Sequence, residues 1–427
     1  MIDLKRLRQD PEGTRATLLR RGDPALGAAV DRLLDLDRRR RELLVRTETL
    51  KAERNAASEE VARLKKAKQP ADDLLARLKA SGEEVKALDA EVRALDAELD
   101  AELLDVPNLV LPEVPEGGPE ANRVVRTWGE APRFDFAPKP HWELGVQLGI
   151  LDLPAGAKIT GSGFPVFTGL GARLVRALAN FMLDLHTTEH GYTEVAVPYV
   201  VNRASLTGTG QLPKFAEEVY AIPADDLYLI PTAEVPVTNL LREEILDGAT
   251  LPRAYVAWTP CFRREAGAHG KDTRGLIRVH QFDKVELVRL CRPEESPAEH
   301  ERITCHAETV LQRLNIPYRV LELAAGDTGF ASAHTYDLEV WAAGVGTWLE
   351  ASSASTFTDY QARRAGLRYR PEPGAKPDFV HTLNASGVAF PRTIIALLEN
   401  NQAADGSVRV PEALVPYLGV DRLVPRA

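Results

Sequence analysis

FRREAGAHGKDTRGLIRVHQFDKVEL, residues 262–287, reads as two β-strands joined by a loop rich in glycine and charge. In its second half apolar and polar residues alternate, and side chains two apart in a strand share a face. One predicted face is mostly apolar. The other carries groups that can bind ligands, namely Arg278, His280, Phe282, Lys284 and Glu286. This stretch therefore predicts a sheet with one chemically equipped face.

The equipped face has the length and the groups to bind a nucleotide with a small second molecule. From Arg278 to Glu286 an extended strand would span about 26 Å. Arginines bind phosphates as a planar fork, a phenyl ring stacks on a base, and a buried acid binds an amine or a hydroxyl. Arg263 and Glu265 are predicted to face the same ligand from the preceding strand. An ordinary surface strand with cross-strand ion pairs is the alternative.

The length and composition limit the classes of protein to which this chain can belong. The chain has 427 residues, which predicts two or three domains, and 44% hydrophobic residues, which is ordinary for a globular protein. No apolar run reaches the roughly 18–20 residues of a membrane span, and we see no secretion signal, so a cytoplasmic location without membrane contact is predicted. A net charge of −9 disfavours nucleic acid unless positive charge is concentrated locally. Three scattered cysteines, Cys261, Cys291 and Cys305, are predicted to be isolated thiols without a zinc motif.

Residues 28–104 have the repeat of a helical hairpin. Apolar residues recur at coiled-coil spacing in two runs: Leu36, Leu43, Leu50, Ala57 and Leu64, then Leu78, Ser81, Val85, Leu88, Val92, Leu95 and Leu99. Pro70 cannot continue a helix, so the chain is predicted to turn there, with Asp72 or Asp73 capping the second helix. The pattern predicts two antiparallel helices of about 35 residues each.

The two predicted helices differ in charge. The first helix and the turn are basic, with Arg38, Arg39, Arg40, Arg41, Arg46, Lys51, Arg54, Arg63, Lys65, Lys66 and Lys68. The second is acidic, with Glu83, Glu84, Asp89, Glu91, Asp96, Glu98, Asp100 and Glu102. These charges either pair only with each other across the seam, or leave a basic side near the tip that can meet phosphates. The sequence leaves both interpretations open.

The remainder predicts an α+β domain behind a linker. Prolines and glycines crowd residues 106–145, which is typical of a linker and the entry to a core. Strand signals then follow one another, including 192–201, with helices predicted over 172–191 and 297–314, so an antiparallel sheet with helices packed on one side is expected. Neither a GxGxxG nor a P-loop pattern occurs, so a doubly wound nucleotide fold is unsupported.

Together these stretches resemble the class II aminoacyl-tRNA synthetases, in the form of the seryl-tRNA synthetase family. Residues 262–287 resemble the second signature motif, 191–201 the first with its Pro198, and 381–400 the third with its Arg392. Three further segments match the seryl branch: APKPHWELG (137–145), LTGTGQLPKF (206–215) and PTAEVPVTN (231–239). The resemblance implies an N-terminal tRNA-binding domain over 1–105, the linker over 106–145, and a class II catalytic domain over 146–427.

The resemblance also implies a role for individual residues. Arg263, Glu265 and Arg392 would be catalytic, with Arg263 bridging the ATP α-phosphate and the serine carboxylate. ATP binding is implied for Arg263, Arg264, Glu265, Arg278, Val279, Phe282, Glu350, Ala351, Ser352, Ser353 and Arg392. Serine binding is implied for Thr232, Ala233, Glu234, Arg263, Glu286 and Ser386. Glu350 and Ser353 would hold Mg²⁺. Four residues depart from the usual family pattern, namely Arg264, Ala351, Ala385 and Pro391.

The implied activity is the joining of L-serine to tRNA(Ser) at the expense of ATP by a homodimer, and it leaves tRNA(Sec) open as a second substrate. A carboxylate is already a nucleophile at neutral pH, so activation needs alignment and charge neutralisation rather than a general base. His269 and His280 are therefore predicted to be structural.

Three alternatives remain at this point. The first, a ligase that loads an amino acid onto a carrier protein, would lack the long hairpin. The second is a catalytically silent relative that acts as a binding protein, and the intact Arg263, Glu286 and Arg392 argue against it. The third is a plain coiled-coil interaction protein, which the catalytic motifs disfavour.

Overall fold

The computed structural model describes residues 1–266 and 274–426. Its α-helices are α1 (Leu4–Gln9), α2 (Pro11–Leu19), α3 (Ala25–Lys66), α4 (Asp72–Asp105), α5 (His141–Gln147), α6 (Leu153–Ile159), α7 (Leu170–Thr188), α8 (Arg203–Gly208), α9 (Glu234–Thr238), α10 (Ser296–Arg313), α11 (Tyr360–Ala365), α12 (Phe390–Asn400) and α13 (Val415–Leu418). Its strands are β1 (Arg123–Trp128), β2 (Leu151–Asp152), β3 (Val166–Phe167), β4 (Thr193–Glu194), β5 (Val200–Asn202), β6 (Ala221–Ile222), β7 (Leu227–Leu229), β8 (Ile245–Asp247), β9 (Arg253–Phe262), β10 (Gln281–Cys291), β11 (Tyr318–Glu322), β12 (His334–Ala342), β13 (Thr347–Thr358), β14 (Arg368–Arg370), β15 (Asp378–Phe379), β16 (His381–Ala389), β17 (Val408–Arg409) and β18 (Arg422–Leu423).

The described chain divides into two compact units. The smaller comprises Ile2–Leu19 and Asp23–Pro107, and the larger comprises Met1, Arg20–Gly22 and Asn108–Ala427. In the smaller unit α3 has 42 residues and α4 has 34, and they pack together as the predicted hairpin. Six residues of the predicted seam are buried, namely Leu36, Val85, Leu88, Val92, Leu95 and Leu99, and the other six, Leu43, Leu50, Ala57, Leu64, Leu78 and Ser81, are half-buried. Burial of each such side chain stabilises the hairpin by about 1.5–3 kcal/mol.

The predicted cap of the second helix is wrong. Ala71 occupies the N-cap position and no side chain accepts a capping hydrogen bond there. Asp72 and Asp73 instead lie inside the first turn. There their charges still favour the helix, because carboxylates oppose the positive end of the helix dipole.

Each of the two open interpretations of the hairpin charges holds for a different part of the hairpin. Across the seam, ion pairs join Arg46 to Glu84 at 2.6 Å and Lys51 to Asp89 at 3.1 Å. Further pairs join Arg32 to Glu102 and Arg40 to Asp96. Next to the turn, Lys65, Lys66 and Lys68 have no carboxylate partner within the described ranges. Positive charge that is not neutralised is therefore concentrated at the tip.

The larger unit is built on a mostly antiparallel sheet. Among the described residues this sheet has eight strands in the order β1-β11-β12-β13-β16-β10-β9-β4, and only β4 pairs in parallel, with β9. The α+β prediction is confirmed. Strand β1 comes from the stretch whose composition predicts a linker, and it pairs with β11 to form one edge of the sheet. Strand β1 could not be recognised from the sequence, because the prolines and glycines on either side of it dominate the local composition.

The two faces of the sheet have different partners. On one face Val285 and Leu287 of β10 pack in a large apolar core with residues of α7, α10 and α12. On the other face Val288 and Leu290 pack near α9 and α11. The uninterrupted pairing of β10 with β9 places Phe282, Lys284 and Glu286 on this second face as well. The equipped face predicted from the alternation therefore exists.

The alternation overestimates the length of this strand. β10 begins at Gln281, and residues 274–280 do not form part of it. Gly275 has a φ of +69°, and the amide of the buried Leu276 donates to His141 Nε2 at 2.9 Å. This turn and its tertiary hydrogen bond override a local pattern that looks like a strand. The strand signal over 192–201 corresponds to two short strands, β4 and β5, on either side of Pro198, which has no N–H to donate.

Two other sequence predictions can be compared with the structure. The cysteines are free thiols as predicted, and Cys261 and Cys291 are buried, whereas Cys305 is exposed on α10. In the described part of the chain, none of the helices combines the length and the apolar composition that a membrane span requires.

Candidate active site

Two adjoining cavities lie on the equipped face of the large sheet. The first, of about 250 Å³, is lined by Arg263, Glu265, Leu276, Ile277, Arg278, Val279, Phe282, Lys284, Glu350, Ala351, Ser386, Ala389, Pro391 and Arg392. The second, of about 410 Å³, is lined by Thr209, Gly210, Gln211, Phe215, Thr232, Glu234, Arg263, Lys284, Gly329, Phe330, Ala331, Ser332, Glu350, Ser353, Ser355, Phe357, Asn384 and Ser386. Arg263, Lys284, Glu350 and Ser386 belong to both walls. Two ligands, one in each cavity, would thus meet at a junction with two cations.

The first cavity combines an aromatic plate with charged groups. The Arg263 guanidinium lies 5.2 Å from the centre of the Phe282 ring. Arg278 donates to Glu265 Oε2 at 2.7 Å. Glu265 follows the end of β9 with a φ of +49°, a conformation that costs a non-glycine residue of the order of 1 kcal/mol. The backbone there is held in an uncommon shape that directs an acid into the cavity.

The third predicted catalytic residue closes the cavity from the start of a helix. Arg392 lies in the first turn of α12, and Pro391 before it fits the helix start, where an N–H is not needed. The Arg392 side chain donates to the carbonyl of Glu350 at 2.5 Å and forms an ion pair with Glu350 Oε2 at 3.3 Å. Strand β13, which carries Glu350, and helix α12, which carries Arg392, thereby bring these two charged side chains together.

In the second cavity hydrogen bonds converge on the buried carboxylate of Glu286. Thr232 Oγ1 donates to Glu286 Oε2 at 2.8 Å, and Asn384 Nδ2 donates to Oε1 at 3.2 Å. The ammonium of Lys284 forms an ion pair with Oε2. Glu286 is fully buried, and these three partners line the second cavity.

A second buried acid, Glu234, lies on the wall of the same cavity. Gln361 Nε2 donates to its Oε1 at 2.6 Å, and Thr382 in turn donates to Gln361 at 2.7 Å. Burial, and then the negative charge of Glu286, raise the pKa of Glu234 to about 7. Glu234 is thus poised to change its charge near neutral pH, and a cationic group beside it would favour the charged form.

A third acid stands opposite the predicted metal ligands. Asp337 of β12 pairs in register with Ser353 of β13, and Glu339 pairs with Glu350, so all four side chains share the cavity face. Asp337 Oδ1 is buried without a hydrogen-bond partner in the described residues. Burial and the charge of Glu350 hold the pKa of Asp337 well above its usual range. Such a pair of acids is an arrangement that a divalent cation would stabilise.

Not every predicted site residue forms part of a cavity wall. Ala233 is buried in an apolar cluster, and the Arg264 side chain turns away to donate to the Glu217 carbonyl at 3.1 Å. Ser352 is buried and donates to the Ser386 carbonyl at 2.5 Å. Its neighbour Ser353 reaches the wall because successive residues of a strand point to opposite faces. Glu286 is absent from both walls and contacts them through Thr232, Lys284 and Asn384.

Sequence reasoning missed three residues around the site: Asp337, Gln361 and Asn384. It placed Lys284 on the equipped face, between Phe282 and Glu286, but gave it no role in the site. Asp337 and Gln361 reach the site only through strand pairing and through α11, which spacing does not reveal.

The two histidines predicted to be structural fall in different parts of the chain. His280 Nδ1 lies 3.0 Å from the Arg263 carbonyl, and its ring stacks on Phe164 with centroids 5.3 Å apart. It therefore supports the backbone of Arg263. His269 lies outside the described residues.

Comparison with known proteins agrees with this geometry. Residues 1–110 match the family model described as seryl-tRNA synthetase N-terminal domain, and residues 219–401 match tRNA synthetase class II core domain (G, H, P, S and T). The serine–tRNA ligase of Gemmatimonas aurantiaca is 57% identical over 98% of this chain and 99% of its own. That of Carboxydothermus hydrogenoformans is 54% identical over 99% of both.

Solved structures lead to the same family. The seryl-tRNA synthetase of Pyrococcus horikoshii, solved with ATP, has a TM-score of 0.95 and 39% identity over the whole of both chains. The cytoplasmic serine–tRNA ligase of Naegleria fowleri, solved with AMP, has a TM-score of 0.87 and 30% identity, covering 98% of this chain and 96% of that one. Relatives this similar over nearly the whole length share more than the catalytic core. The chain belongs to the seryl-tRNA synthetase family of class II aminoacyl-tRNA synthetases.

Proposed function

We propose that this chain activates L-serine with ATP, forming seryl-adenylate and pyrophosphate, and transfers the serine to the 3′ end of tRNA(Ser). The observation that carries the proposal is the junction of the two cavities at Arg263 and Lys284, where an α-phosphate and an amino-acid carboxylate can meet. The identity to serine–tRNA ligases over nearly the whole chain supports the same assignment.

The first cavity would hold ATP. Phe282 offers a ring for the adenine, Glu265 an acceptor for its amino group, and Val279 a backbone contact. Arg278 and Arg392 would exchange their present carboxylate partners for phosphate oxygens, which carry more charge. Ala351 completes the wall, and Arg264 and Ser352 would support it through the backbone.

The second cavity would hold serine. Thr232 and Glu234 would bind the ammonium group, with Ala233 fixing the turn between them. Ser386 and the network on Glu286 would bind the hydroxyl. A site built to bond a hydroxyl rejects an amino acid that lacks it by up to about 10⁴–10⁵-fold. Alanine would be excluded on this basis, whereas threonine would be excluded only by the space available for its methyl group.

The chemistry requires no general base in this geometry. Arg263 would hold the serine carboxylate against the α-phosphorus, and positioning of this kind supplies much of the rate. The surrounding arginines would stabilise the charge that passes to the pyrophosphate leaving group. A bound Mg²⁺ would add neutralisation of the phosphate oxygens. Glu350 and Ser353 would hold it, and the unpartnered oxygen of Asp337 fits a cation beside them.

We also propose the assembly in which this reaction takes place. The domain over 1–105 would bind tRNA through the basic tip of its hairpin, where Lys65, Lys66 and Lys68 can meet phosphates. The segment over 191–201 would form the interface of a homodimer. Tyr199 beside the edge strand β4 and Trp258 of β9 are large side chains exposed by 47% and 36%, which fits a covered interface.

Pyrophosphate exchange with each of the twenty amino acids tests the reaction. We expect exchange with serine, little with threonine and none with alanine, and it should require Mg²⁺. Charging assays with tRNA(Ser) and tRNA(Sec) then determine whether one or both tRNAs are substrates. Exchange with another amino acid in preference to serine would contradict the assignment.

A further inference from the structure

Lys284 carries a positive charge deep between the two cavities. Lys284 is 5% exposed. Glu234 and Glu286, the two acids of the proposed serine pocket, are 5% and 0% exposed. A buried ammonium is costly unless it is paired, and here its partner is Glu286. In the proposed reaction Lys284 marks the junction of the two cavities, whose walls it shares, but no contact with either substrate is assigned to it.

The sheet fixes the position of this ammonium. Lys284 lies in the middle of β10, opposite Thr259 of β9 on one side and Ala389 of β16 on the other. Thr259 is also buried, so the stem of the lysine is enclosed by small side chains. Phe282 and Glu286 flank it on the same face. The ammonium can therefore reach Glu286 while remaining at the junction of the cavities.

Lys284 offsets one of the two acids of the serine pocket. Its ammonium pairs with Glu286, whereas Glu234 accepts a hydrogen bond from the neutral Gln361. Glu234 is thus the acid left for the ammonium of an amino acid, whose carboxylate Arg263 would bind on the same wall. Without Lys284 two buried carboxylates would compete for that ammonium, and like charges in one site favour protonation of one acid.

Lys284 also orients the acceptor. Lys284 and Thr232 both direct donors to Oε2 of Glu286, whereas Oε1 receives only the longer bond from Asn384 at 3.2 Å. A carboxylate oxygen has two lone pairs, so Oε1 retains the capacity to accept a further hydrogen bond. A hydroxyl in the second cavity is the donor that this arrangement suits.

We propose that Lys284 is a positioning residue for serine specificity, which offsets and orients Glu286 as an acceptor for the hydroxyl and leaves Glu234 for the ammonium. This inference rests on the proposed function and names a residue that makes the pocket selective for serine. Lys284 acts through Glu286 rather than on the reacting atoms.

The test replaces Lys284 with methionine, which keeps the length of the side chain and removes its charge. We expect the KM for serine in pyrophosphate exchange to rise by about 10- to 100-fold, the range for loss of a charge-assisted hydrogen bond. The preference for serine over alanine should fall, and the KM for ATP should change by less than about threefold. An equal rise in the KM for ATP would mean that Lys284 serves the phosphates, and would overturn the proposal.

The pH dependence separates this role from a structural one. The groups that act on Glu234 are Glu286, Gln361, Lys284 and Arg263, and the charge of Lys284 lowers the pKa of Glu234. In the parent protein the KM for serine should rise below a certain pH, which the pKa of Glu234 sets. In Lys284→Met that pKa, and with it this pH, should therefore be higher. An unchanged pH and an unchanged KM for serine would contradict the proposal.

A matched control is available on the opposite face of the same strand. Arg289 is 6% exposed and forms a buried ion pair with Glu299 of α10, away from both cavities. Arg289→Met should lower stability without altering the KM for serine or its pH dependence, and a serine defect equal to that of Lys284→Met would overturn the proposal. If Lys284→Met does not fold, Lys284→Gln is measured in the same way. Absence of serine-dependent exchange in the parent protein would instead refute the proposed function.

Discussion

The pKa of one buried side chain, Glu234, can set the pH range over which the proposed serine pocket binds its ligand. It accepts one hydrogen bond from Gln361 and lies near the negative Glu286. Both burial and the neighbouring charge favour its protonated form, which raises its pKa to about 7. The ammonium of serine interacts favourably only with the ionised form.

The first prediction concerns the pH dependence of serine binding. Below about pH 7 Glu234 gains a proton and loses its charge, so the KM for serine should rise toward tenfold for each further pH unit. Above that pH the carboxylate is ionised and the KM should level off. Pyrophosphate exchange between about pH 5.5 and 8.5 measures this curve. Glu234→Gln should give a high KM at every pH, and a flat curve in the parent would contradict the assignment.

The second prediction concerns Glu286. Glu286→Ala should lower serine activation by orders of magnitude, because it removes the acceptor that Thr232, Lys284 and Asn384 surround. It also leaves Lys284 buried and unpaired, which should cost about 3–5 kcal/mol of stability. ATP binding should survive, since Glu286 is not part of the first cavity. Thermal unfolding and pyrophosphate exchange measure the two effects.

Glu286→Gln provides the control for shape. It keeps the size of the side chain and one acceptor oxygen for Lys284 and Thr232, so it should fold better than Glu286→Ala. Its exchange with serine should remain impaired because the charge opposite Lys284 is removed. Exchange rates equal to the parent's in both variants would refute a role for Glu286.

At the scale of single residues, the residues that a motif supplied lie together, and their roles stay predictions. Arg263, Phe282 and Glu350 all lie on cavity walls. Ser352 could not be separated from Ser353 by pattern alone, because the bulge in β12 and β13 determines which of them faces the cavity. Lys284 was placed on the equipped face but given no role, since a lysine in an alternating strand usually faces water.

At the scale of elements, local pattern and tertiary structure disagree around β10. Residues 274–280 alternate as a strand would, yet the turn at Gly275 and the bond from Leu276 to His141 remove them from the sheet. Arg278 consequently approaches the cavity from a turn and meets Glu265, rather than extending a straight row. The hairpin α3–α4 was predictable, since its seam depends only on local spacing.

The third prediction concerns the tip of that hairpin. Replacing Lys65, Lys66 and Lys68 with alanine should weaken tRNA binding, because these cations have no carboxylate partner in the described chain and can neutralise phosphates. For each phosphate that is no longer neutralised, the slope of log K against log salt should become shallower by about 0.9. Titration of tRNA(Ser) at several salt concentrations measures this slope. Pyrophosphate exchange should not change.

Arg38 offers the matched control on the same helix. It is already paired with Asp35 at 2.5 Å and with Glu42 at 3.2 Å. Arg38→Ala should therefore change the salt dependence far less than removal of one tip lysine. A larger effect from Arg38 would place the tRNA interaction along the helix rather than at its tip.

At the scale of the whole molecule, the described chain divides into two compact units, to which we assign activation and tRNA binding separately in the proposed function. Both cavities are built entirely from the larger unit. The chain as a whole carries a net charge of −9, so an interaction with tRNA has to depend on local positive charge rather than on the total. The basic tip of the hairpin is such a place.

The last prediction removes the hairpin. Arg32 and Glu102 form an ion pair at 3.2 Å, so the cut points of a deletion of residues 30–102 lie close together and a short glycine-rich linker can join them. Serine-dependent pyrophosphate exchange should survive, because every cavity residue is retained, while charging of tRNA(Ser) should fall by about 10²-fold or more. Unchanged charging of tRNA(Ser) would contradict the role of the hairpin in tRNA binding. Loss of both activities in a variant that still folds would show that the two units do not act separately.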